Sequence, residues 1–145
     1  MPTLAWRLLR EGVNCKRKSS QPLRILIIED DPVAAKVYGH YLKKAGYGVL
    51  LAADGPTGVQ KTLQLRPDGV LLDVMLPGMS GAEVLKEIHE KKPNLPIVVY
   101  TNGFVPLLVE EMLAAGATNV FNKSNLTGQE VAHAFEKVLR HKEAA

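Results

Sequence analysis

Short apolar runs alternate with longer amphipathic segments from Leu23 onward. Such alternation is typical of strand and helix pairs that build a parallel sheet, in which helices cover the strands. We count five pairs and predict strands at residues 24–29, 48–52, 69–73, 97–101 and 119–122. The pattern therefore predicts an α/β protein with a five-stranded parallel sheet.

Three of the runs are apolar without interruption, at residues 25–28, 70–72 and 97–99. A strand that is covered by helices on both faces has no solvent-facing side, so its residues need not alternate between apolar and polar. We therefore predict that these three strands lie in the middle of the sheet.

The predicted helices begin and end at local signals. Asp31 precedes Pro32, and the pair supplies an N-cap side chain and a preset first-turn φ angle. The capping-box pattern, in which Glu follows Ser or Thr by three residues, occurs at residues 80–83 and 127–130. Another helix is predicted over residues 106–115, directly before a glycine.

Composition and charge divide the chain in two. With 145 residues, 46% of them hydrophobic and 23% charged, the chain fits one globular domain. Six basic residues and one acidic residue give residues 1–24 a net charge of +5, whereas 12 basic and 14 acidic residues give the remainder −2. We expect residues 1–22 to be a basic, disordered extension and residues 23–142 to form the domain.

Nothing in the sequence indicates export or a membrane span. Cys15 has no second cysteine to pair with, which fits a reducing compartment. Arg7 interrupts the apolar N-terminal stretch, and no run reaches the roughly 18 apolar residues of a spanning helix. We therefore expect a cytoplasmic protein.

Polar side chains gather at the carboxyl ends of the predicted strands. Glu29 ends the first predicted strand and Asp30 follows it, Asp73 ends the third, Thr101 ends the fourth and Lys123 follows the fifth. Ligand sites of open parallel sheets form at this edge. Clustered carboxylates repel one another unless a cation compensates them, and Mg²⁺ prefers oxygen ligands. The sequence therefore predicts an Mg²⁺ site.

The metal ligands can be assigned individually. Asp30 and Asp73 would bind Mg²⁺ directly, Glu29 would act through a water molecule, and the backbone carbonyl of Met75 would complete the protein ligands. Mg²⁺ usually keeps several waters and takes phosphate oxygens as further ligands. This ligand set therefore suits phosphoryl chemistry.

Phosphoryl transfer gives the remaining residues a role. Asp73 is a candidate nucleophile, since carboxylates form acyl phosphates. Lys123 would stabilise charge on the transferring phosphoryl oxygens, and the Thr101 hydroxyl would hydrogen-bond one of them. Each residue alone is weak evidence, and the prediction depends on their joint arrival at one edge.

Four segments together carry a family pattern: Ile-Leu-Ile-Ile-Glu-Asp-Asp-Pro at 25–32, Leu-Asp-Val-Met-Leu-Pro-Gly-Met-Ser-Gly at 72–81, Val-Val-Tyr-Thr at 98–101, and Gly-Ala followed by a lysine at 116–123. In order and spacing they resemble the response-regulator receiver family over about residues 23–140. The resemblance implies a flavodoxin-like (βα)5 doubly wound fold with strand order 2-1-3-4-5.

The resemblance also implies a function. It makes Asp73 the phosphoacceptor, Glu29 and Asp30 the metal-binding acids, Thr101 the switch hydroxyl and Lys123 the phosphate partner. The phosphoryl group would come from a sensor histidine kinase or a histidine phosphotransfer protein. Such a protein is a phosphoacceptor switch rather than an enzyme, although it can assist its own phosphorylation and dephosphorylation.

Output is expected to pass through a protein partner. Only one predicted helix follows Lys123, so we expect a single-domain response regulator without direct DNA binding. In the family, the fourth helix, the fifth strand and the last helix usually form the partner face. The apolar residues of the fourth helix suit either that face or the core.

Three positions depart from the family pattern. Ser124 stands where the family usually has a proline joined by a cis bond, and a cis bond without proline costs roughly 3 to 4 kcal/mol. Val120 replaces the usual aromatic switch residue, for which neighbouring Phe121 is a possible substitute. Asn102 replaces a small residue, so we expect it to affect the lifetime of the acyl phosphate.

Other classes fit the sequence less well. A haloacid-dehalogenase phosphatase needs an aspartate two residues after the nucleophile, where this chain has Met75. Flavin and nicotinamide proteins need a phosphate-binding loop after the first strand, but this chain places acidic residues there and lacks the G-x-G-x-x-G pattern. A pseudo-receiver that acts without phosphorylation stays open as the alternative.

Overall fold

The computed structural model of the chain describes residues 21–102 and 106–144. Its strands are β1 (Arg24–Ile28), β2 (Gly48–Ala52), β3 (Gly69–Asp73), β4 (Ile97–Thr101) and β5 (Asn119–Asn122). Its α-helices are α1 (Pro32–Lys44), α2 (Gly55–Leu65), α3 (Gly81–Lys91), α4 (Pro106–Ala114) and α5 (Gly128–Ala144), and a short 3-10 helix (Lys123–Asn125) precedes α5. β1 and α4 each end one residue earlier in the structure than the sequence predicted.

All five strands are parallel and lie in the order β2-β1-β3-β4-β5. This confirms the flavodoxin-like doubly wound fold and the inner positions of β1, β3 and β4. Every residue of β3 and β4 is buried, as is β1 after its first residue. The uninterrupted apolar runs therefore reflect helices on both faces of the sheet.

The core has one layer on each face of the sheet. On one face, α2, α3 and α4 contribute buried residues such as Val59, Leu85 and Met112. On the other, α1 and α5 contribute residues such as Leu42 and Phe135. Burial of one such side chain stabilises the fold by roughly 1.5 to 3 kcal/mol. Because each layer contains many of them, the packed layers keep the strands, and therefore the strand ends, in fixed positions.

The helix starts follow the predicted signals. The Asp31 side chain accepts a hydrogen bond from the backbone N–H of Val33 at 3.0 Å and caps α1. Reciprocal capping boxes open α3, at Ser80 and Glu83, and α5, between Thr127 and Glu130. These local bonds satisfy backbone groups that a helix leaves unpaired.

The predicted N-terminal extension, residues 1–22, lies outside the described residues except for its last two positions. Cys15 lies outside them as well. Among the helices that the structure describes, none combines the length and the apolar character that a bilayer crossing requires.

Candidate metal and phosphoacceptor site

Three acidic side chains converge at the carboxyl edge of the sheet. Glu29 and Asp30 follow β1, and Asp73 ends β3, which pairs with β1 in parallel register. One carboxylate oxygen of each lies within 4.8 Å of the others. The structure therefore brings together the three carboxylates that the sequence predicted as a metal site.

Asp73 sits in a pocket that disfavours its charge. Only 3% of the residue is exposed, and Oδ1 accepts a hydrogen bond from the backbone N–H of Met75 at 3.0 Å. Burial raises the pKa of Asp73 to about 6; the Met75 hydrogen bond opposes the shift, Glu29 adds to it and Lys123 opposes it. The carboxylate is therefore ionised at neutral pH but lacks full compensation.

The loop after β3 brings the Met75 N–H to Asp73. Gly81 donates its backbone N–H to the Val74 carbonyl at 2.9 Å. A Cβ at Gly81 would lie 2.3 Å from the Val74 Cα, so only glycine allows this approach. The glycine at the start of α3 thereby fixes the turn that positions the phosphoacceptor candidate.

Glu29 has donors on both of its oxygens. Oε2 accepts the backbone N–H of Asp31 at 3.0 Å. Oε1 accepts the Tyr100 hydroxyl and lies 3.4 Å from Nζ of Lys123. Since the residue is only 3% exposed, these donors replace the water that a carboxylate would otherwise bind.

Lys123 bridges two of the acids from the end of β5. Its Nζ lies 3.5 Å from Oδ2 of Asp73 and 3.4 Å from Oε1 of Glu29. Burial alone would lower the pKa of Lys123, but the Asp73 and Glu29 carboxylates outweigh it and raise that pKa. The ammonium thus compensates part of the acidic charge.

Sequence reasoning missed two aromatic residues behind the acids. The ring of Tyr100 is fully buried, lies 5.2 Å from Nζ of Lys123 and packs against Tyr38 with ring centroids 5.2 Å apart. Burial, followed by the Glu29 carboxylate, raises the pKa of Tyr100. Tyr100 lies in an apolar strand, and nothing in that strand's sequence indicates a role at the site. The hydrogen-bond partner of its hydroxyl, Glu29, belongs to a different part of the chain.

The structure gives the positions of Thr101, of Val120, which departs from the family pattern, and of its neighbour Phe121. Thr101 is fully buried at the end of β4, opposite Asn122. Val120 packs with the core on the α2, α3 and α4 side, whereas Phe121 packs on the α1 and α5 side. Because adjacent residues of a strand point to opposite faces, Phe121 does not take the place of Val120.

The turn after β5 also differs from the expected proline turn. No peptide bond within the described ranges is cis, so the Lys123–Ser124 bond is trans. The Asn122 side chain accepts hydrogen bonds from the backbone N–H and the hydroxyl of Ser124, at 3.2 and 2.9 Å. These bonds hold the turn that carries Lys123.

The donor set fits a hard divalent cation. All three side chains offer oxygen, the ligand that Mg²⁺ prefers. Asp30 is exposed, whereas Glu29 and Asp73 are buried, so the cluster opens to solvent on one side. The cation would compensate charge that Lys123 balances only in part.

Comparison with known sequences identifies the family. Residues 25–135 match the model of the family described as "Response regulator receiver domain". The chain belongs to the response-regulator receiver family. The match includes every site residue described above.

Two curated relatives contain a segment like this receiver domain. The probable transcriptional regulatory protein TcrX of Mycobacterium tuberculosis is 37% identical over 59% of this chain and 37% of its own length. A cyclic di-GMP phosphodiesterase of Thermotoga maritima is 34% identical over 82% of this chain and 33% of its own length. The chain thus spans about a third of the length of each.

Solved receiver structures superpose closely. Chemotaxis protein CheY4 of Vibrio cholerae has a TM-score of 0.75 at 28% identity, covering 81% of this chain and 98% of its own. A putative response regulator from Chloroflexus aurantiacus has a TM-score of 0.77 at 29% identity, covering 83% and 99%. A CheY-like receiver from Methanospirillum hungatei has a TM-score of 0.79 at 25% identity, covering 86% and 100%.

Proposed function

We propose that this receiver domain accepts a phosphoryl group on Asp73 from a phosphohistidine and passes the signal to a protein partner. The observation that carries the proposal is the position of Asp73, buried at the end of β3 with Lys123 3.5 Å from Oδ2 and two further acids beside it. Membership of the receiver family supports the same role.

The chemistry requires an ionised Asp73. One of its oxygens would attack phosphorus while the P–N bond to the donor imidazole breaks and the electron pair returns to that nitrogen. The product is an acyl phosphate on Asp73 and a free histidine on the donor. With a pKa of about 6, Asp73 is largely deprotonated at neutral pH and available as the nucleophile.

Lys123 and Thr101 would act on the transferred group. The Lys123 ammonium already contacts the Asp73 carboxylate, so it lies close to where negative charge appears on phosphoryl oxygens. Thr101 ends the neighbouring strand, and its buried hydroxyl is the proposed switch group that hydrogen-bonds the acyl phosphate. Both roles depend on strand ends that the core holds in place.

Mg²⁺ is the proposed cofactor. Asp30 and Asp73 would hold it directly, Glu29 through water, and the Met75 carbonyl would add a backbone ligand. When bound, the ion neutralises charge on the carboxylates and on the phosphoryl oxygens. The structure contributes the carboxylate cluster to this proposal, while the Met75 carbonyl stays a prediction from the sequence.

The proposed donor is a sensor histidine kinase or a histidine phosphotransfer protein, and the proposed output face consists of α4, β5 and α5. On α4, Leu107 is 67% exposed and Leu113 is 48% exposed, whereas Met112 belongs to the core. The cytoplasmic location and the action of residues 23–142 without an attached output domain stay predictions from the sequence.

Intact-protein mass spectrometry tests the proposal. Wild type incubated with Mg²⁺ and acetyl phosphate should gain one phosphoryl group that hydroxylamine removes, and Asp73→Asn should gain none. Asp31→Asn is the matched control, because it removes one charge at the same edge and keeps an N-cap side chain for α1. No gain in wild type, with a control receiver phosphorylated in parallel, would contradict the proposal and favour the pseudo-receiver.

A further inference from the structure

Tyr100 forms the inner wall of the acidic site. Its hydroxyl donates a hydrogen bond to Oε1 of Glu29, a residue 71 positions away in sequence. The same ring lies 5.2 Å from Nζ of Lys123. Tyr100 therefore contacts the buried Glu29 carboxylate through its hydroxyl and the Lys123 ammonium through the face of its ring.

Two of the groups that donate to Glu29, Lys123 and Tyr100, differ in whether they also contact Asp73. Lys123 is shared, since its Nζ also lies 3.5 Å from Asp73. A phosphoryl group on Asp73 would bring anionic oxygens within reach of Lys123 and draw the ammonium away from Glu29. The Tyr100 hydroxyl is held by a fully buried ring that packs against Tyr38, so its bond to Glu29 does not depend on Lys123.

We propose that Tyr100 is a positioning residue that holds the Glu29 carboxylate in the orientation required for Mg²⁺ binding. The inference rests on the proposed function, because it concerns the metal site that phosphoryl transfer would use. Hydrogen-bond partners behind directly bound ligands orient them, and their loss typically lowers metal affinity by about 10- to 100-fold; because Glu29 would act through a water molecule, we expect the lower end of that range for Tyr100. The hydroxyl fits this role because Glu29 is buried and Lys123, the other donor near Oε1, is shared with Asp73.

Tyr100→Phe removes the hydroxyl and keeps the ring that faces Lys123 and Tyr38. We expect Mg²⁺ affinity, measured by isothermal titration calorimetry without a phosphodonor, to fall about tenfold. Tyr41→Phe is the matched control, since it removes a phenolic hydroxyl from an α1 ring that packs against His40 and takes no part in the Tyr100 to Glu29 bond. Its affinity should stay within twofold of wild type. Unchanged or tighter binding by Tyr100→Phe would overturn the proposal.

A double-mutant cycle tests whether the effect passes through Glu29. In a Glu29→Gln background, the charged group that the hydroxyl orients is gone, so adding Tyr100→Phe should change Mg²⁺ affinity less than twofold. An equal tenfold loss in both backgrounds would show that Tyr100 acts by another route and would refute the assignment.

NMR supplies a readout that a purely structural role would not move. The Tyr100 hydroxyl proton should be protected from solvent exchange, show a cross-peak to the Glu29 side chain and shift when Mg²⁺ is added. This experiment uses the unaltered protein, so it decides the question even if Tyr100→Phe fails to fold. A hydroxyl proton that Mg²⁺ leaves unmoved would overturn the proposal. Since no phosphodonor is present, a failure of Asp73 phosphorylation would leave these results intact.

Discussion

The Nζ atom of Lys123 lies 3.5 Å from Oδ2 of Asp73, so an ion pair links the residue after β5 to the last residue of β3. Lys123 also contacts Glu29 at 3.4 Å. One ammonium therefore serves two buried carboxylates, and the site retains uncompensated negative charge.

Lys123→Met should destabilise the fold when Mg²⁺ is absent. Its removal leaves buried Glu29 and Asp73 without their cation, and because Lys123 is itself partly exposed we expect a loss of about 1 to 3 kcal/mol at pH 7. Urea denaturation checks this. Lys91→Met removes a solvent-exposed pair with Glu87 and should cost about 0.5 kcal/mol or less. Equal losses for both variants would contradict the buried role of Lys123.

Asp73→Asn should stabilise the fold at neutral pH without Mg²⁺. The folded-state pKa of Asp73 is raised to about 6 from 3.8, so the folded state binds the proton more tightly than the unfolded state. Ionisation therefore costs stability as pH rises from about 4 to 6, and the penalty is complete above that range. We expect a gain of the order of 2 to 3 kcal/mol at pH 8, vanishing near pH 3.5, in urea denaturation at each pH.

Asp54→Asn provides a control of opposite sign. Hydrogen bonds from Thr57 lower the pKa of Asp54, so its ionised form contributes stability above the unfolded-state pKa that is lost as pH falls through the folded-state pKa. This variant should lose stability at pH 8 and approach wild type in acid. If both variants changed stability in the same direction at pH 8, the burial argument for Asp73 would fail.

Mg²⁺ should raise the melting temperature of wild type and have little effect on Asp30→Asn. A ligand that binds only the folded state stabilises it by about 2.7 kcal/mol at 100 times its dissociation constant. Asp31→Asn changes charge at the next position but alters a capping residue rather than a metal acid, so it should keep most of the Mg²⁺ response. Thermal unfolding with and without Mg²⁺ measures the difference, and equal losses of response would count against Asp30 as a ligand.

Gly81→Ala should weaken Mg²⁺ binding as well as stability. The added Cβ would collide with the Val74 backbone and displace the turn that brings the Met75 N–H to Asp73, at a cost of about 1 to 3 kcal/mol. Gly46→Ala is the comparison, because Gly46 has a φ of +102° but open space around its Cβ position. It should lose stability through backbone strain while calorimetry finds its Mg²⁺ affinity unchanged.

Local sequence signals predicted the elements of this protein because their causes are local. Asp31 before Pro32 starts α1, and Ser80 with Glu83 starts α3, through contacts within a few residues. Uninterrupted apolar runs predicted the inner strands, since only strands covered on both faces lack polar positions. Because parallel strands share one direction, the predicted strand ends also put Glu29 and Asp73 at the same edge of the sheet.

Only the tertiary structure decided which groups touch within that edge. Lys123 and Glu29 are 94 positions apart, and Tyr100 and Glu29 are 71 apart, so no local pattern could pair them. The alternation of side chains along β4 predicts that Tyr100 and its two neighbours in sequence point to opposite faces of the sheet. It does not predict which residue accepts the hydrogen bond from the Tyr100 hydroxyl. That partner depends on the side-by-side placement of β1, β3 and β4 and on the depth at which the core holds each strand end, which are properties of the packed sheet.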